Sequence, residues 1–215
     1  MKKIIVTLLS ISAVLAAKTA TAQTTTDLGT WSSVQLVKSF GAPYAMARLE
    51  HRSYDHLQGT ECWFAMVGGG YNFNKWLKGD LSYEYWSIPS AGKMVQHKAV
   101  LSFTETLRRE GLAVSLREKY ELAFNPASQS CSHTLRVRLR GEYKFPESRF
   151  TPYAMYELFG SLEGKGWIRS LHYAGTELSL GRGHSLDFFY MFHLFDKAGH
   201  NEACHLLGAG YTLVF

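Results

Sequence analysis

Apolar and polar side chains alternate along most of the chain, and a period of two is typical of β-strands whose two faces meet different surroundings. The alternation predicts eleven strands, at residues 30–39, 43–52, 62–73, 77–87, 94–107, 111–124, 132–145, 150–160, 167–180, 184–195 and 205–215. Many of them are longer than the roughly five or six residues of strands in soluble sheets and are suited to a tilted transmembrane strand.

The segment 132–145 separates its two faces most clearly. Leu135, Val137 and Leu139 share one face, and arginines alternate with them. In a membrane barrel these arginines must face the lumen, because an Arg on the lipid side at mid-bilayer depth costs about 2–4 kcal/mol. The neighbouring strands complete the set of charged residues predicted to line the lumen: Arg117, Lys119, Glu121, Arg136, Arg138, Arg140, Glu142 and Glu157. The strand 150–160 is ambiguous, because placing Glu157 inside also places Tyr153 and Met155 inside.

The last two strands supply the predicted lipid-facing side. Apolar side chains recur there at every second position, and we predict that six of them face lipid: Phe188, Tyr190, Phe192, Tyr211, Leu213 and Phe215. A strand that ends the chain on an aromatic residue is typical of barrels delivered to an outer membrane. The predicted partners are therefore outer-membrane lipid and, through the C-terminal strand, the barrel-assembly machinery.

Two kinds of connection alternate between the predicted strands. The tight ones are 40–42, 74–76, 108–110, 146–148 and 181–183, and the longer ones, of six to nine residues, are 53–61, 88–93, 125–131, 161–166 and 196–204. Short turns at one end and longer loops at the other are typical of up-and-down membrane barrels. The predicted fold class is all-β, an antiparallel up-and-down transmembrane β-barrel of about 10–12 strands.

Two features conflict with a regular barrel. Glu105 and Glu118 fall on the apolar faces of their strands, so each requires a β-bulge, a register shift or a position near a loop. Eleven strands also conflict with the even number found in bacterial single-chain barrels. Either 30–39 lies outside the wall or a long segment splits in two. In both cases the lumen is narrow and passes at most water, ions or very small solutes.

Residues 1–22 have the composition of a secretory signal peptide. A basic start precedes the apolar run 4–17, and the small residues 20–22 predict cleavage after Ala22. That run is too short to span a bilayer as a helix, and no later segment approaches 18 consecutive apolar residues. We therefore expect a single barrel domain, 23–215, in the outer membrane of a Gram-negative bacterium.

The charge balance argues against one class of partner. Without the three lysines of the signal peptide, 20 of the 23 Lys and Arg residues remain against 18 Asp and Glu. These charges are interleaved rather than gathered in a basic patch, so we predict no nucleic-acid binding. No cofactor is implied.

The inward cations allow two interpretations. They could bind a small anionic solute or a lipid phosphate. They could instead pair with Glu121, Glu142, Glu157 and Glu177 in a network that fills the lumen. The network is favoured, because buried charges need partners and acids lie on the adjacent strands.

Candidate catalytic and metal-binding residues are sparse. The nine histidines have no Cys or carboxylate at diagnostic metal-ligand spacing, so we predict no metal site and expect loop histidines in solvent. Ser170 and His172 share one strand face while Glu177 lies on the other, which scatters a hydrolase triad. The sequence favours a function without catalysis.

The three cysteines fall at the ends of the longer predicted loops, hence on one rim. Cys62, Cys131 and Cys204 are far apart in sequence, and a secreted compartment permits disulfides. One pair could form only if closure of the barrel brings two of them together. Three unpaired thiols are the favoured interpretation.

Several segments resemble one bacterial family. They are Trp31, Glu50-x-Arg52, the sequences FTPYAMYELF at 150–159 and HSLDFFY at 184–190, and LGAGY at 207–211. Together they are similar to the outer-membrane family catalogued as domain of unknown function 2490. The resemblance covers the whole mature chain and implies an outer-membrane barrel. It implies no reaction, because the family has no established activity.

The resulting functional hypothesis is a porin-like outer-membrane barrel of structural or narrow-pore type, with a charged lumen largely filled by side chains. One alternative is a secreted soluble β-sandwich that acts as a binding module, in which Phe188, Tyr190 and Phe192 would be buried. A second alternative is a lipid hydrolase embedded in a barrel.

Overall fold

The computed structural model describes residues 26–164, 166–197 and 200–215, so the predicted signal peptide lies outside the described residues. Its strands are β1 Thr26–Ser39, β2 Pro43–Tyr54, β3 Gly59–Asn72, β4 Leu77–Ile88, β5 Met94–Arg109, β6 Leu112–Asn125, β7 Ser130–Tyr143, β8 Phe150–Ser161, β9 Gly166–Gly181, β10 His184–Lys197 and β11 His200–Val214. A short 3₁₀ turn, Pro89–Ala91, follows β4. No helix in the described ranges has the length and apolar character needed to cross a membrane.

The strands form one closed sheet, which confirms the predicted all-β barrel. Strands that are consecutive in sequence pair antiparallel, and β1 closes the barrel by pairing parallel with β11, from Thr26 opposite Ala203 to Val37 opposite Val214. At the end of this seam the Phe215 N–H donates a hydrogen bond to the Val37 carbonyl at 3.0 Å. A single closed sheet does not match a two-sheet sandwich.

The number of strands differs from the expected even count. Eleven strands are present in the described residues, with β1 inside the wall and no segment split in two. The parallel seam makes this possible, because β1 and β11 satisfy each other's edge hydrogen bonds without running in opposite directions. We call the end at which β1 begins the N-terminal rim and the end at which β11 finishes the C-terminal rim.

The two rims do not differ in loop length as predicted. Among the connections that the structure describes in full, the N-terminal rim has 55–58, 89–93 and 126–129, and the C-terminal rim has 40–42, 73–76, 110–111, 144–149 and 182–183. The longest of them is on the C-terminal rim. The prediction was wrong because the strands keep pairing toward the N-terminal rim, where Ser130 still lies opposite Asn125 and Gly59 opposite Tyr54.

Side chains alternate between an exposed outer face and a buried inner face. On the outside, Leu49, Leu81 and Leu207 are 64%, 63% and 59% exposed. On the inside, Glu50 and Glu157 are 3% and 0% exposed. This distribution is the reverse of that in water-soluble proteins, which rarely bury charged groups and rarely expose large contiguous apolar surfaces.

The two glutamates on apolar faces are accommodated without any bulge. Glu118 faces outward and is exposed, opposite Phe103 on β5 and Val137 on β7 in continuous register. Glu105 also faces outward, opposite Leu116, close to the C-terminal rim. Its position near a connection was one of the options that the sequence left open. For Glu118, at the middle of its strand, none of the three options holds.

A glycine on β11 allows aromatic rings to fill the interior next to the seam. A Cβ at Gly208 would collide with the ring of Phe189. That ring packs at 6.2 Å from Trp31 and 5.6 Å from Tyr173, measured between ring centroids. The close approach of Phe189 therefore requires glycine at this position.

Candidate functional site

The charged residues predicted to line the lumen lie on the inner faces of three adjacent strands. They are Arg117, Lys119 and Glu121 on β6, Arg136, Arg138, Arg140 and Glu142 on β7, and Glu157 on β8. Strand register places Lys119 opposite Arg136 and Arg117 opposite Arg138. Across the next pair of strands, Arg138 lies opposite Glu157. Cationic residues are therefore paired with cationic residues between β6 and β7. The carboxylates that neutralise them are Glu121, two positions along β6 from Lys119, and Glu157 on β8.

Glu157 is the most deeply buried of these charges. One carboxylate oxygen lies 2.9 Å from a guanidinium nitrogen of Arg136, and the other accepts a hydrogen bond from Arg138 Nη2 at 3.0 Å. Hydrogen bonds between ionised partners are about twice as strong as neutral ones. Glu157 thus neutralises two arginines that would otherwise be buried next to like charges.

Glu121 is the second acceptor of the network. It pairs with Arg136 through a close contact and with Lys119 Nζ at 3.6 Å, while Lys98 Nζ lies at 3.9 Å. Lys119 also approaches Glu84 at 3.9 Å. Arg136 is therefore held by two carboxylates, and we call Glu84, Lys119, Glu121, Arg136, Arg138 and Glu157 the waist network.

A separate ion cluster lies on β2. Glu50 is 3% exposed and pairs with Arg48 at 2.7 Å and Arg52 at 2.6 Å. The Arg52 guanidinium also stands 3.6 Å from the ring centroid of Trp31 and 4.8 Å from that of Trp86, as cation–π contacts do. Sequence analysis used Glu50 and Arg52 only for the family resemblance and did not single out Arg48, although these three residues alternate with outward residues in the same way as those on β7.

Apolar side chains fill the other half of the lumen at this height. The buried cluster consists of Tyr153, Phe159, Leu171, Tyr173, Met191 and Leu206, and Trp31 and Phe189 pack against it. It joins the waist network at β8, where the Arg136 guanidinium lies 4.2 Å from the centroid of the Phe159 ring. One half of the waist is thus ionic, and the other half, which we call the aromatic half, consists of aromatic and aliphatic side chains. Phe159 and Met191 in this half are 1% and 0% exposed.

Open space remains on both sides of the waist. Toward the N-terminal rim there is a cavity of about 770 Å³, with Lys98, Glu121 and Arg169 among its lining residues. Toward the C-terminal rim a cavity of about 530 Å³ is lined by residues that include Lys78 and Arg108. We call the first cavity the larger vestibule and the second the smaller vestibule; along the strands, the waist network lies between them.

The outer face carries a row of histidines paired with aromatic rings near the N-terminal rim. One such pair joins the strands of each of five successive hairpins: His51–Trp63, Tyr83–His97, Tyr120–His133, Tyr156–His172 and Tyr190–His205. In three of them the tyrosine oxygen lies 2.5–2.7 Å from His Nδ1. All five of these histidines lie on strands, within the predicted strand bounds, so the expectation of loop histidines in solvent does not concern them. We call them the histidine–aromatic girdle.

Five of the six residues predicted to face lipid lie on β10 and β11, and Phe215 directly follows β11. Phe188 and Tyr190 are exposed on the outer face. The ring of Phe192 packs against that of His205, with 5.1 Å between the two ring centroids. Tyr211 Oη lies 2.6 Å from His184 Nδ1 near the C-terminal rim. Phe215 is exposed, with the Lys38 ammonium 4.6 Å from its ring centroid. Leu213 is half-buried between β10 and β1.

A comparison with known families decides the membership of the chain. The family described as "Protein of unknown function (DUF2490)" matches residues 28–203. The chain belongs to the DUF2490 family. Among solved structures, this DUF2490 chain is similar to the NanC porin in its rhombohedral crystal form, with 11% sequence identity, a TM-score of 0.49, and coverage of 80% of this chain and 89% of that one. No curated protein matches it.

The cysteines of this DUF2490 chain are all free thiols. Cys62 is buried in the lumen, Cys131 is exposed, and Cys204 is half-buried in the wall of the larger vestibule. The closed barrel therefore does not bring two of them into a disulfide.

The hydrolase candidates lie apart. Ser170 Oγ is 3.4 Å from His172 Nε2 on the outer face, while Glu177 is on the inner face of the same strand. An acid that orients the imidazole is thus missing from this pair. Among the described residues no group of three or more His, Cys, Asp or Glu side chains is arranged to hold a metal ion.

Proposed function

We propose that this chain is an outer-membrane β-barrel of a Gram-negative bacterium, of structural or narrow-pore type, whose lumen is closed at the waist by paired charges and aromatic rings. The observation that carries the proposal is the inversion of the two faces. Exposed leucines and aromatics surround the outside, whereas Glu50, Glu121 and Glu157 are buried within. Such a surface is stable in lipid and prone to aggregate in water.

The histidine–aromatic girdle supports residence in a membrane. Tyrosine and tryptophan are enriched where barrels cross the boundary between hydrocarbon and head groups, because one end of the ring system is apolar and the other is polar. Five successive hairpins carry such a pair on the same side of the barrel. In this proposal the girdle marks the membrane interface nearest the N-terminal rim.

Delivery to that membrane would follow the predicted route. A signal peptide, residues 1–22, would be cleaved after Ala22, and the barrel 23–215 would be assembled from its C-terminal strand. Outer-membrane lipid and the barrel-assembly machinery are then its partners. The exposure of Phe215 at the end of the seam supports this role for the last residue.

The composition of the waist favours a structural barrel over an open pore. Arg136 and Arg138 have carboxylate partners, so the waist network is not the free cationic lining that an anion channel would need. The aromatic half adds a second obstruction. We therefore infer that the barrel passes at most water or very small ions.

Conductance in a planar lipid bilayer tests this function. We expect the refolded wild-type barrel to give no resolvable steps in potassium chloride. The double variant Phe159→Ala and Tyr173→Ala should open the aromatic half and raise the conductance, whereas Phe188→Ala on the outer face should not. Large steady steps in the wild type would contradict a closed waist.

A further inference from the structure

The larger vestibule contains two buried polar groups that the waist network does not use. Its wall includes Arg169 on β9 and His193 on β10, which belong to neighbouring strands. Arg169 Nε and His193 Nε2 are both buried and have no hydrogen-bond partner among the described residues. Buried polar groups are hydrogen-bonded in the great majority of cases, so two orphaned groups in one cavity need a cause.

Arg169 is placed as a binding group would be. Its guanidinium stands 3.8 Å from the ring centroid of Phe159, on the vestibule side of the waist. Arg136, which contacts the same ring, is held by two carboxylates. Arg169 therefore differs from Arg136. A buried cation without a carboxylate partner destabilises the fold, and a bound anionic ligand would remove that cost.

His193 supplies a second polar contact at the same wall. Its side chain is 6% exposed, and its ring lies 3.5 Å from that of Phe195 between centroids. Strand register places Phe195 opposite Arg169 and His193 opposite Leu171. A ligand that reached Arg169 would therefore meet an imidazole nitrogen and an aromatic surface at once.

The remaining lining selects the kind of anion. Phe159, Ile168, Phe195 and Leu206 contribute apolar surface. The mouth carries the carboxylates of Asp27 and Glu61, which repel multiply charged anions more strongly than monovalent ones. A volume of about 770 Å³ lies in the range of small-molecule sites.

We propose that this vestibule binds a small organic monocarboxylate that carries an apolar group. Arg169 donates hydrogen bonds to the carboxylate, His193 contacts it through Nε2, and the apolar group lies against Phe159 and Phe195. The site extends the proposed function, because a barrel closed at its waist can still hold a solute on one side. It needs only the folded barrel and not a conducting pore.

Calorimetric titration of the refolded barrel in detergent micelles with benzoate tests the proposal. We expect wild-type protein to bind benzoate, and Arg169→Gln to weaken binding by at least about tenfold, as loss of a charged hydrogen bond does. His193→Phe should weaken it less. Arg149→Gln, an exposed arginine in the connection 144–149, is the matched control and should bind as the wild type does.

Two further titrants define the ligand class. Benzamide, which has the shape of benzoate without its charge, should not bind, and inorganic phosphate should bind more weakly than benzoate. Phosphate binding tighter than benzoate would overturn the carboxylate assignment. Failure of the folded wild type to bind benzoate at millimolar concentration would overturn the site, while leaving the proposed barrel function intact.

Unfolding of the same variants separates binding from a structural role. Because Arg169 Nε has no hydrogen-bond partner among the described residues and no described ion pair includes Arg169, Arg169→Gln should unfold at the same or a higher urea concentration than the wild type. Marked destabilisation would show that the guanidinium holds the fold, and would refute its assignment to a ligand. The heat-dependent mobility of each variant on gels reports the barrel independently of any ligand.

Discussion

Glu157→Gln is the substitution to which the waist should be most sensitive. It removes the carboxylate that Arg136 and Arg138 share. Arg136 keeps Glu121, but Arg138 is left facing Arg117, which lies directly opposite on β6. Removing one partner of a buried ion pair costs about 3–5 kcal/mol, because the other charge stays buried. We expect the free energy of unfolding to fall by that amount.

Arg138→Leu should have a much smaller effect, although it breaks the same ion pair. Glu157 retains Arg136 at 2.9 Å, and Arg117 loses the like charge opposite it. We expect a loss of about 1 kcal/mol or less, as for partly exposed pairs. The asymmetry between the two substitutions follows from the shared acceptor and is not expected of an isolated pair.

Urea unfolding in lipid vesicles, followed by tryptophan fluorescence, measures both effects. Glu142→Gln is the control, because the Glu142 side chain is 32% exposed and pairs only with Arg140 in the described network. Equal losses for Glu157→Gln and Glu142→Gln would refute the claim that Glu157 is the centre of the waist. A larger loss for Arg138→Leu than for Glu157→Gln would refute the shared acceptor.

Three further substitutions examine other parts of the barrel. Glu118→Leu should stabilise the barrel in vesicles by about 1–2 kcal/mol, because it removes a carboxylate from the lipid side; Glu121→Leu, on the inner face, should destabilise it, and unchanged stability for Glu118→Leu would contradict a lipid contact. Gly208→Val should prevent folding or lower the urea midpoint strongly, because its Cβ meets the Phe189 ring; a wild-type midpoint would contradict that packing. Phe215→Asp should reduce outer-membrane assembly in cells more than Thr212→Asp, and equal assembly would contradict recognition of the last residue.

The strands and the distribution of charge between faces could be predicted from sequence because both are local. A period of two assigns each residue of β7 to the lumen or to the outside without knowledge of the partner strand. Arg136, Arg138 and Arg140 are assigned to the inner face in this way, whereas the strand that carries Glu157 is ambiguous in sequence. Which acid pairs with which arginine depends on register between strands, and no local pattern fixed it.

The errors arose where distant residues decide the structure. β1 closes the barrel by pairing parallel with β11, and these strands lie at opposite ends of the chain. Neither strand alone therefore indicates whether the barrel has an even or an odd number of strands. The aromatic partners of the strand histidines could not be predicted, because an isolated His has no partner in its own segment. Tyr120 and His133 meet only through the register of β6 and β7, and Arg169 reaches the Phe159 ring only through the pairing of β8 with β9.

Fractionation of cells that produce the full-length chain tests the central claim most directly. Inner and outer membranes are separated on a density gradient, the membranes are washed with urea, and the protein is run on gels with and without heating. A barrel whose apolar face meets lipid should remain with the outer membrane and change mobility on heating. Recovery of the protein in the soluble periplasmic fraction without detergent would contradict the account.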